Sequence, residues 1–137
     1  MVIKFPHYTE REKEALLAFM RSGVLHGNWQ FEVRLVSKKV KWITKPEDPY
    51  YRMWLKNTAK RIDAVCIDEA FVNIIEVKEY LLPSGVGQLL LYRKMYQEQF
   101  KPKKPIRLWF VSYWPDPDVQ DLCKELGINV WTVRKTL

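Results

Sequence analysis

Arg61-Ile62-Asp63-Ala64-Val65-Cys66-Ile67, followed by Asp68-Glu69-Ala70 and then Phe71-Val72-Asn73-Ile74-Ile75-Glu76-Val77-Lys78, is the stretch whose reading decides the fold. Two runs rich in β-branched residues are separated by a short polar turn, which predicts an antiparallel hairpin. Charges interrupt both runs. Asp63 lies between Ile62 and Ala64, and Glu76 and Lys78 lie near the end of the second run. Strand alternation places Glu76 and Lys78 on one face and Val77 on the other. The hairpin returns the second run past Asp63, so three charged groups converge at one end of an otherwise apolar sheet. Charges in such a place must be paired or must bind a cation.

Upstream of the hairpin, the spacing predicts a helix over Thr9–Ser22. Thr9 and Glu12 have the spacing of a capping box, Leu16, Phe19 and Met20 recur at helical period, and Gly23 is a stop. A strand over Trp29–Val36 follows. In it Phe31, Val33 and Leu35 alternate with Glu32, Arg34 and Val36, predicting one buried face. Residues 37–60 break the pattern. Pro46 and Pro49 exclude a continuous strand, so the expectation is an extended arm with a short helix near Tyr50–Lys56.

Downstream, Pro83, Ser84 and Gly85 interrupt the chain. A helix over Val86–Phe100 is expected, with Leu89, Leu90, Tyr92 and Met95 or Tyr96 as its buried stripe. Ile106–Tyr113 reads as a central buried strand, Asp116–Leu126 as a helix ended by Gly127, and Ile128–Val133 as a last strand paired in parallel. The order α-β-β-β-α-β-α-β describes an α/β protein, a mixed sheet with helices on both faces.

Composition narrows the function classes. The 137 residues fit a single domain, and 47% hydrophobic with 14% aromatic residues suffices for a packed core. Cys66 and Cys123 are far apart and belong to no Cys/His cluster, so they read as reduced core thiols rather than zinc ligands or a disulfide. Trp109, Trp114 and Trp131 read as core, and His7 and His26 as isolated surface or capping histidines. There is no glycine-rich phosphate loop, no bilayer-length apolar run, and no long apolar stretch in residues 1–14. The expectation is a soluble, cytoplasmic protein without a membrane partner. A net charge of +7 favours polyanions, chiefly nucleic acid or an anionic membrane surface.

The chemistry of the three charges follows from their types. Phosphodiester hydrolysis needs an activated water and neutralisation of charge on phosphate. Two carboxylates hold a hard cation such as Mg²⁺ through oxygen, with Mn²⁺ as a substitute. An adjacent ammonium positions the water and stabilises phosphate charge.

Asp63, twelve intervening residues and then Glu76-Val77-Lys78 resemble the signature of the PD-(D/E)XK nuclease superfamily. Ile62 stands where the superfamily's name places proline. Gln88-Leu89-Leu90-Leu91-Tyr92 resembles the QxxxY element of the RecB-like branch. The resemblance implies a restriction-endonuclease-like fold and a Mg²⁺-dependent nuclease, acting most naturally on DNA. It implies Asp63, Glu76, Lys78, Gln88 and Tyr92 as active-site residues, with Asp63 and Glu76 as metal ligands. It further implies an acid from the first helix as a third ligand. Glu10, Glu12 and Glu14 are available, Glu12 is claimed by the capping box, and Glu14 is the candidate taken.

Within the arm, Lys38, Lys39, Lys41, Trp42, Arg52, Trp54, Lys56 and Lys60 interleave cations and rings, as nucleic-acid contacts require: cations neutralise phosphates and rings stack on bases. Two alternatives stand beside the nuclease. One is a non-catalytic nucleic-acid-binding or scaffolding module on the same fold. The other is a dimeric, structure-specific endonuclease of resolvase type.

Overall fold

In the computed structural model, residues 8–39, 43 and 45–137 are described. His7, Lys41 and Trp42 lie outside them. The chain runs α1 (Glu10–Ser22), β1 (Asn28–Leu35), α2 (Tyr51–Thr58), β2 (Lys60–Ile67), β3 (Val72–Tyr80), α3 (Pro83–Phe100), β4 (Ile106–Trp114), α4 (Pro117–Glu125) and β5 (Ile128–Thr132). One five-stranded sheet has the order β1-β2-β3-β4-β5. The first three strands pair antiparallel, and β3-β4-β5 pair parallel. The expected α/β class, element order and parallel tail are all present. The short helix of the arm is α2.

Two apolar layers sandwich the sheet. On one face Ala15, Leu16 and Phe19 of α1 pack on Ala64, Cys66, Ile75, Val77, Trp109 and Val111. On the other, Leu89, Tyr92 and Tyr96 of α3 and Val119 and Cys123 of α4 pack on Val65, Ile74, Leu108 and Phe110. Both cysteines are buried and free, and burial pushes each thiol's pKa up.

The alternation that places these side chains is broken at one rung. In β1, Trp29 and Phe31 pack on the α1 side, as their shared parity requires, but Val33 and Leu35 pack on the α3 side. In β2, Ala64 and Cys66 face α1, whereas Ile62 faces α3. Both strands therefore turn over between the pairs Phe31↔Ala64 and Val33↔Ile62, with the register unchanged and the Glu32–Asp63 rung missing. The cause is visible at Glu32, whose φ of 50° is left-handed. That conformation is uncommon outside glycine and is held only where surrounding packing over-determines it. The single buried face expected for β1 is thus replaced by two half-faces, one in each layer.

A second departure concerns α3, which starts at Pro83 rather than after Gly85. Pro83 occupies the first turn, where its missing N–H costs nothing. Gly85 is needed inside the helix for close approach, because a Cβ there would collide with the Phe110 ring. This contact seats the N-terminal end of α3 directly on β4. Its buried stripe is Val86, Leu89, Tyr92 and Tyr96, with Leu90 and Met95 half-buried.

Candidate active site

The split at Glu32–Asp63 builds the site. The β2–β3 ladder ends at Ala64↔Ile75, so β2 leaves β3 just where Asp63 and Glu76 stand opposite each other. Beyond that last rung the Val77 backbone N–H donates to Asp63 Oδ2 at 2.7 Å. The Tyr8 hydroxyl, just before α1, donates to Asp63 Oδ1 at 2.6 Å. Asp63 is therefore fixed by one donor from the sheet and one from the α1 side.

Glu76 faces the α3 layer, as the parity of Ile74 requires, and is 3% exposed. Lys78 lies two residues on along β3, with its Nζ 3.6 Å from Glu76 Oε1. Glu76 Oε2 is buried without a hydrogen-bond partner. From α3, Gln88 and Tyr92 reach the same cleft, and Gln88 Oε1 is likewise buried and unpartnered. The cleft has a volume of about 270 Å³, and Asp63, Glu76, Lys78, Gln88 and Tyr92 all line it. The five residues expected in the active site are brought together.

Electrostatics set this cleft apart from the opposite end of the sheet. Burial raises the Glu76 pKa well above the ordinary carboxylate range, and the neighbouring Asp63 charge adds to the rise while Lys78 opposes it. Burial also raises Asp63, against the pull of its Tyr8 and Val77 donors. The Tyr8 and Tyr92 hydroxyls are pushed up first by burial and then by these same carboxylates, so both remain protonated. At the hairpin turn, by contrast, polar groups are satisfied. Buried Asn73 donates to Cys66 O and Asp68 Oδ2 and accepts from Arg107 and Trp109. Asp68 accepts from the backbone of Ala70 and Phe71. Native proteins leave few buried polar atoms unpaired, and those few call for an explanation. Here two of them open into one cleft.

The first-helix acid needs correcting. Glu14 points to solvent, its side chain 51% exposed and paired with Arg11 at 3.0 Å. Glu10 is exposed too and pairs with Lys13 at 3.3 Å. Glu12 lines the cleft, and burial raises its pKa while Lys78 pulls it down. Its backbone N–H also donates to Thr9 Oγ1 at 3.1 Å, so capping the helix and facing the cleft are compatible. The signal was present in the sequence: Glu12 precedes Ala15 by three and Leu16 by four, on the buried stripe. Tyr8, four residues earlier, continues that stripe beyond the helix start. Glu32 and Arg61 also line the cleft, a placement that strand alternation cannot signal because it gives no hint of a left-handed residue.

A cation fits the residues present. Two crowded, buried carboxyl groups with an unpartnered oxygen are a donor set that a hard cation satisfies. Among the described residues no group of three or more His, Cys, Asp and Glu side chains forms a cage. A hard cation such as Mg²⁺ is usually held by one or two carboxylates and completes its shell with water and phosphate oxygens.

Of the arm, Lys38, Lys39, Arg52 and Lys56 are exposed and Trp54 is half-buried. Lys60 is half-buried, its Nζ donating to Thr58 O at 2.6 Å. Among the described residues no helix is long and apolar enough to cross a membrane. Compared with known protein families, with curated proteins and with solved structures, the chain matches none.

Proposed function

We propose that this chain is a divalent-cation-dependent nuclease of the PD-(D/E)XK type that hydrolyses phosphodiester bonds, with DNA as its substrate. The observation that carries the reading is the meeting of Asp63, Glu76 and Lys78 where β2 parts from β3, with Glu76 Oε2 buried and unpartnered. The antiparallel β1-β2-β3 meander followed by the parallel β3-β4-β5 crossover agrees with the restriction-endonuclease-like core that the resemblance implies.

On this reading Asp63 and Glu76 would hold the cation, with Glu12 beside them at the cleft. A divalent ion there supplies Lewis-acid activation of water and neutralises phosphate charge. Tyr8 and the Val77 N–H fix the Asp63 carboxylate, so it meets the ligand without reorganisation. The Lys78 ammonium stands next to Glu76, with its side chain 32% exposed, and would position the attacking water and stabilise phosphate charge. Gln88 and Tyr92, seated by the Gly85–Phe110 contact, present an amide and a protonated phenol to the same space.

The test is a cleavage screen across single-stranded, duplex and branched DNA and RNA with Mg²⁺ or Mn²⁺, with Asp63→Asn and Glu76→Gln run alongside. Cation-dependent cleavage lost in both variants is expected. Wild-type turnover in either variant, or cleavage indifferent to chelator, overturns the assignment.

A further inference from the structure

A second, larger cavity opens beside the acidic cleft. Its volume is about 370 Å³, and its lining shares with the cleft Ala59, the residue between α2 and β2. Its walls are apolar: Trp54 and Leu55 of α2, Leu35 of β1 and Met95 of α3. Its rim carries Arg34, Lys56 and Lys60, and no carboxylate stands among the described lining residues. The acidic cleft next door holds Glu12, Glu32, Asp63 and Glu76 against Arg61 and Lys78. The two hollows thus differ sharply in charge across the single residue they share.

The cavity exists for two reasons. The inversion at Glu32 turns Leu35, at the end of β1, and Ile62, near the start of β2, toward the α3 layer. Helix α2 then lies across this end without closing on it, since none of its residues is fully buried. An indole and a thioether facing an open slot, with cations around the mouth, suit a flat aromatic ring attached to an anionic backbone. Stacking supplies binding without hydrogen-bond readout, and cations at the rim neutralise the phosphates on either side.

We propose that this cavity receives one unstacked nucleobase of the strand whose phosphate occupies the acidic cleft, so that the substrate is unpaired next to the bond that is cut. The inference rests on the nuclease reading above and adds a substrate class to it: single strands, flaps or frayed ends rather than continuous duplex. Charge complementarity selects this occupant. An amphipathic peptide would fill the apolar walls equally well but would need acidic residues placed to meet Arg34, Lys56 and Lys60.

The test places a single abasic nucleotide at successive positions of a labelled single-stranded oligonucleotide and measures its binding by anisotropy with Ca²⁺, a hard cation of the same charge, in place of Mg²⁺. The wild-type chain, Trp54→Ala, Trp54→Phe and Lys56→Glu are compared. One position should be sensitive, its abasic form binding roughly 5- to 150-fold more weakly, the range that one stacked base is worth. Trp54→Ala should abolish that sensitivity and Trp54→Phe should retain part of it. Lys56→Glu, a change at an exposed position that leaves the core untouched, should weaken every oligonucleotide alike. Cleavage with Mg²⁺ should fall with the same positional pattern, and intact duplex should be cut far more slowly. Equal sensitivity at all positions, or an abasic penalty unchanged in Trp54→Ala, overturns the base slot while cation-dependent cleavage keeps the nuclease reading. Absence of cleavage on every substrate overturns the nuclease reading itself, and a surviving abasic pattern would then show the slot independently of it.

Discussion

Replacing Glu76 by Gln should stabilise the cation-free protein and destroy its response to Mg²⁺. Two effects oppose each other. The substitution removes the Lys78–Glu76 contact, which is 3.6 Å long with Lys78 a third exposed. Such a pair is worth about 0–1 kcal/mol. The substitution also removes a carboxylate that is 3% exposed, has one unpartnered oxygen and stands beside Asp63. The amide that replaces it keeps a polar group in the same place but carries no charge, and an unpaired buried charge costs more than the about 1–3 kcal/mol of an unpaired neutral polar group. The second effect wins, by about 1–2 kcal/mol, which is a rise in Tm of about 3–8 °C for a domain of this size.

The pH dependence of this gain has a definite sign. Burial, with Asp63 next, raises the folded-state pKa of Glu76 above its unfolded value. Between those two values the folded state binds more protons than the unfolded state, so wild-type stability falls as pH rises through that window. The advantage of Glu76→Gln should therefore be small near pH 5 and grow toward pH 8. Mg²⁺ should reverse the order: at a hundredfold excess over its Kd, a ligand stabilises the wild type by about 2.7 kcal/mol, and the variant should gain little. Thermal melts at pH 5, 6.5 and 8, each in chelator and in Mg²⁺, measure all of this. A variant melting no higher than wild type at pH 8 in chelator, or equal Mg²⁺ shifts in both proteins, would refute the reasoning.

Asp63→Ala should abolish cleavage and also lower stability by about 1–3 kcal/mol, because it strips the Val77 N–H and the Tyr8 hydroxyl of their acceptor; relief of charge crowding alone would instead predict an unchanged or higher Tm, and chemical denaturation distinguishes the two. Lys78→Ala should reduce kcat by at least tenfold with a much smaller effect on oligonucleotide Kd, since its action belongs to the transition state; a parallel loss of both would make Lys78 only a phosphate contact. Gly85→Ala should cost about 1–3 kcal/mol by overpacking against Phe110, and because α3 must move, cleavage should fall although no cleft residue is changed; full activity would show that α3 position does not control Gln88 and Tyr92.

Much of this protein was legible in its sequence because the relevant signals are local. Period-2 alternation around Asp68-Glu69-Ala70 specified the hairpin, and charges within apolar runs marked Asp63, Glu76 and Lys78. Gly23 and Gly127, both with positive φ, ended their segments where glycine can and other residues rarely do. What the sequence could not specify depends on contacts made across the fold. Whether Val33 follows Phe31 onto the same face depends on one left-handed residue, Glu32, whose side chain carries no conformational signature. Once the strands turn over there, β2 parts from β3, Asp63 captures the Val77 N–H, and a cleft opens. Tyr8 reaches Asp63 across 55 positions of sequence, a pairing that periodicity within one helix cannot encode. Pro83-Ser84-Gly85 looked like a break because proline and glycine usually punctuate. Proline suits a first turn, and only the Phe110 ring, brought alongside by the sheet, explains why glycine follows it inside the helix. Sequence periodicity determined which elements form and which residues carry charge. Tertiary packing decided which side of the sheet each charge faces, and so which charges meet.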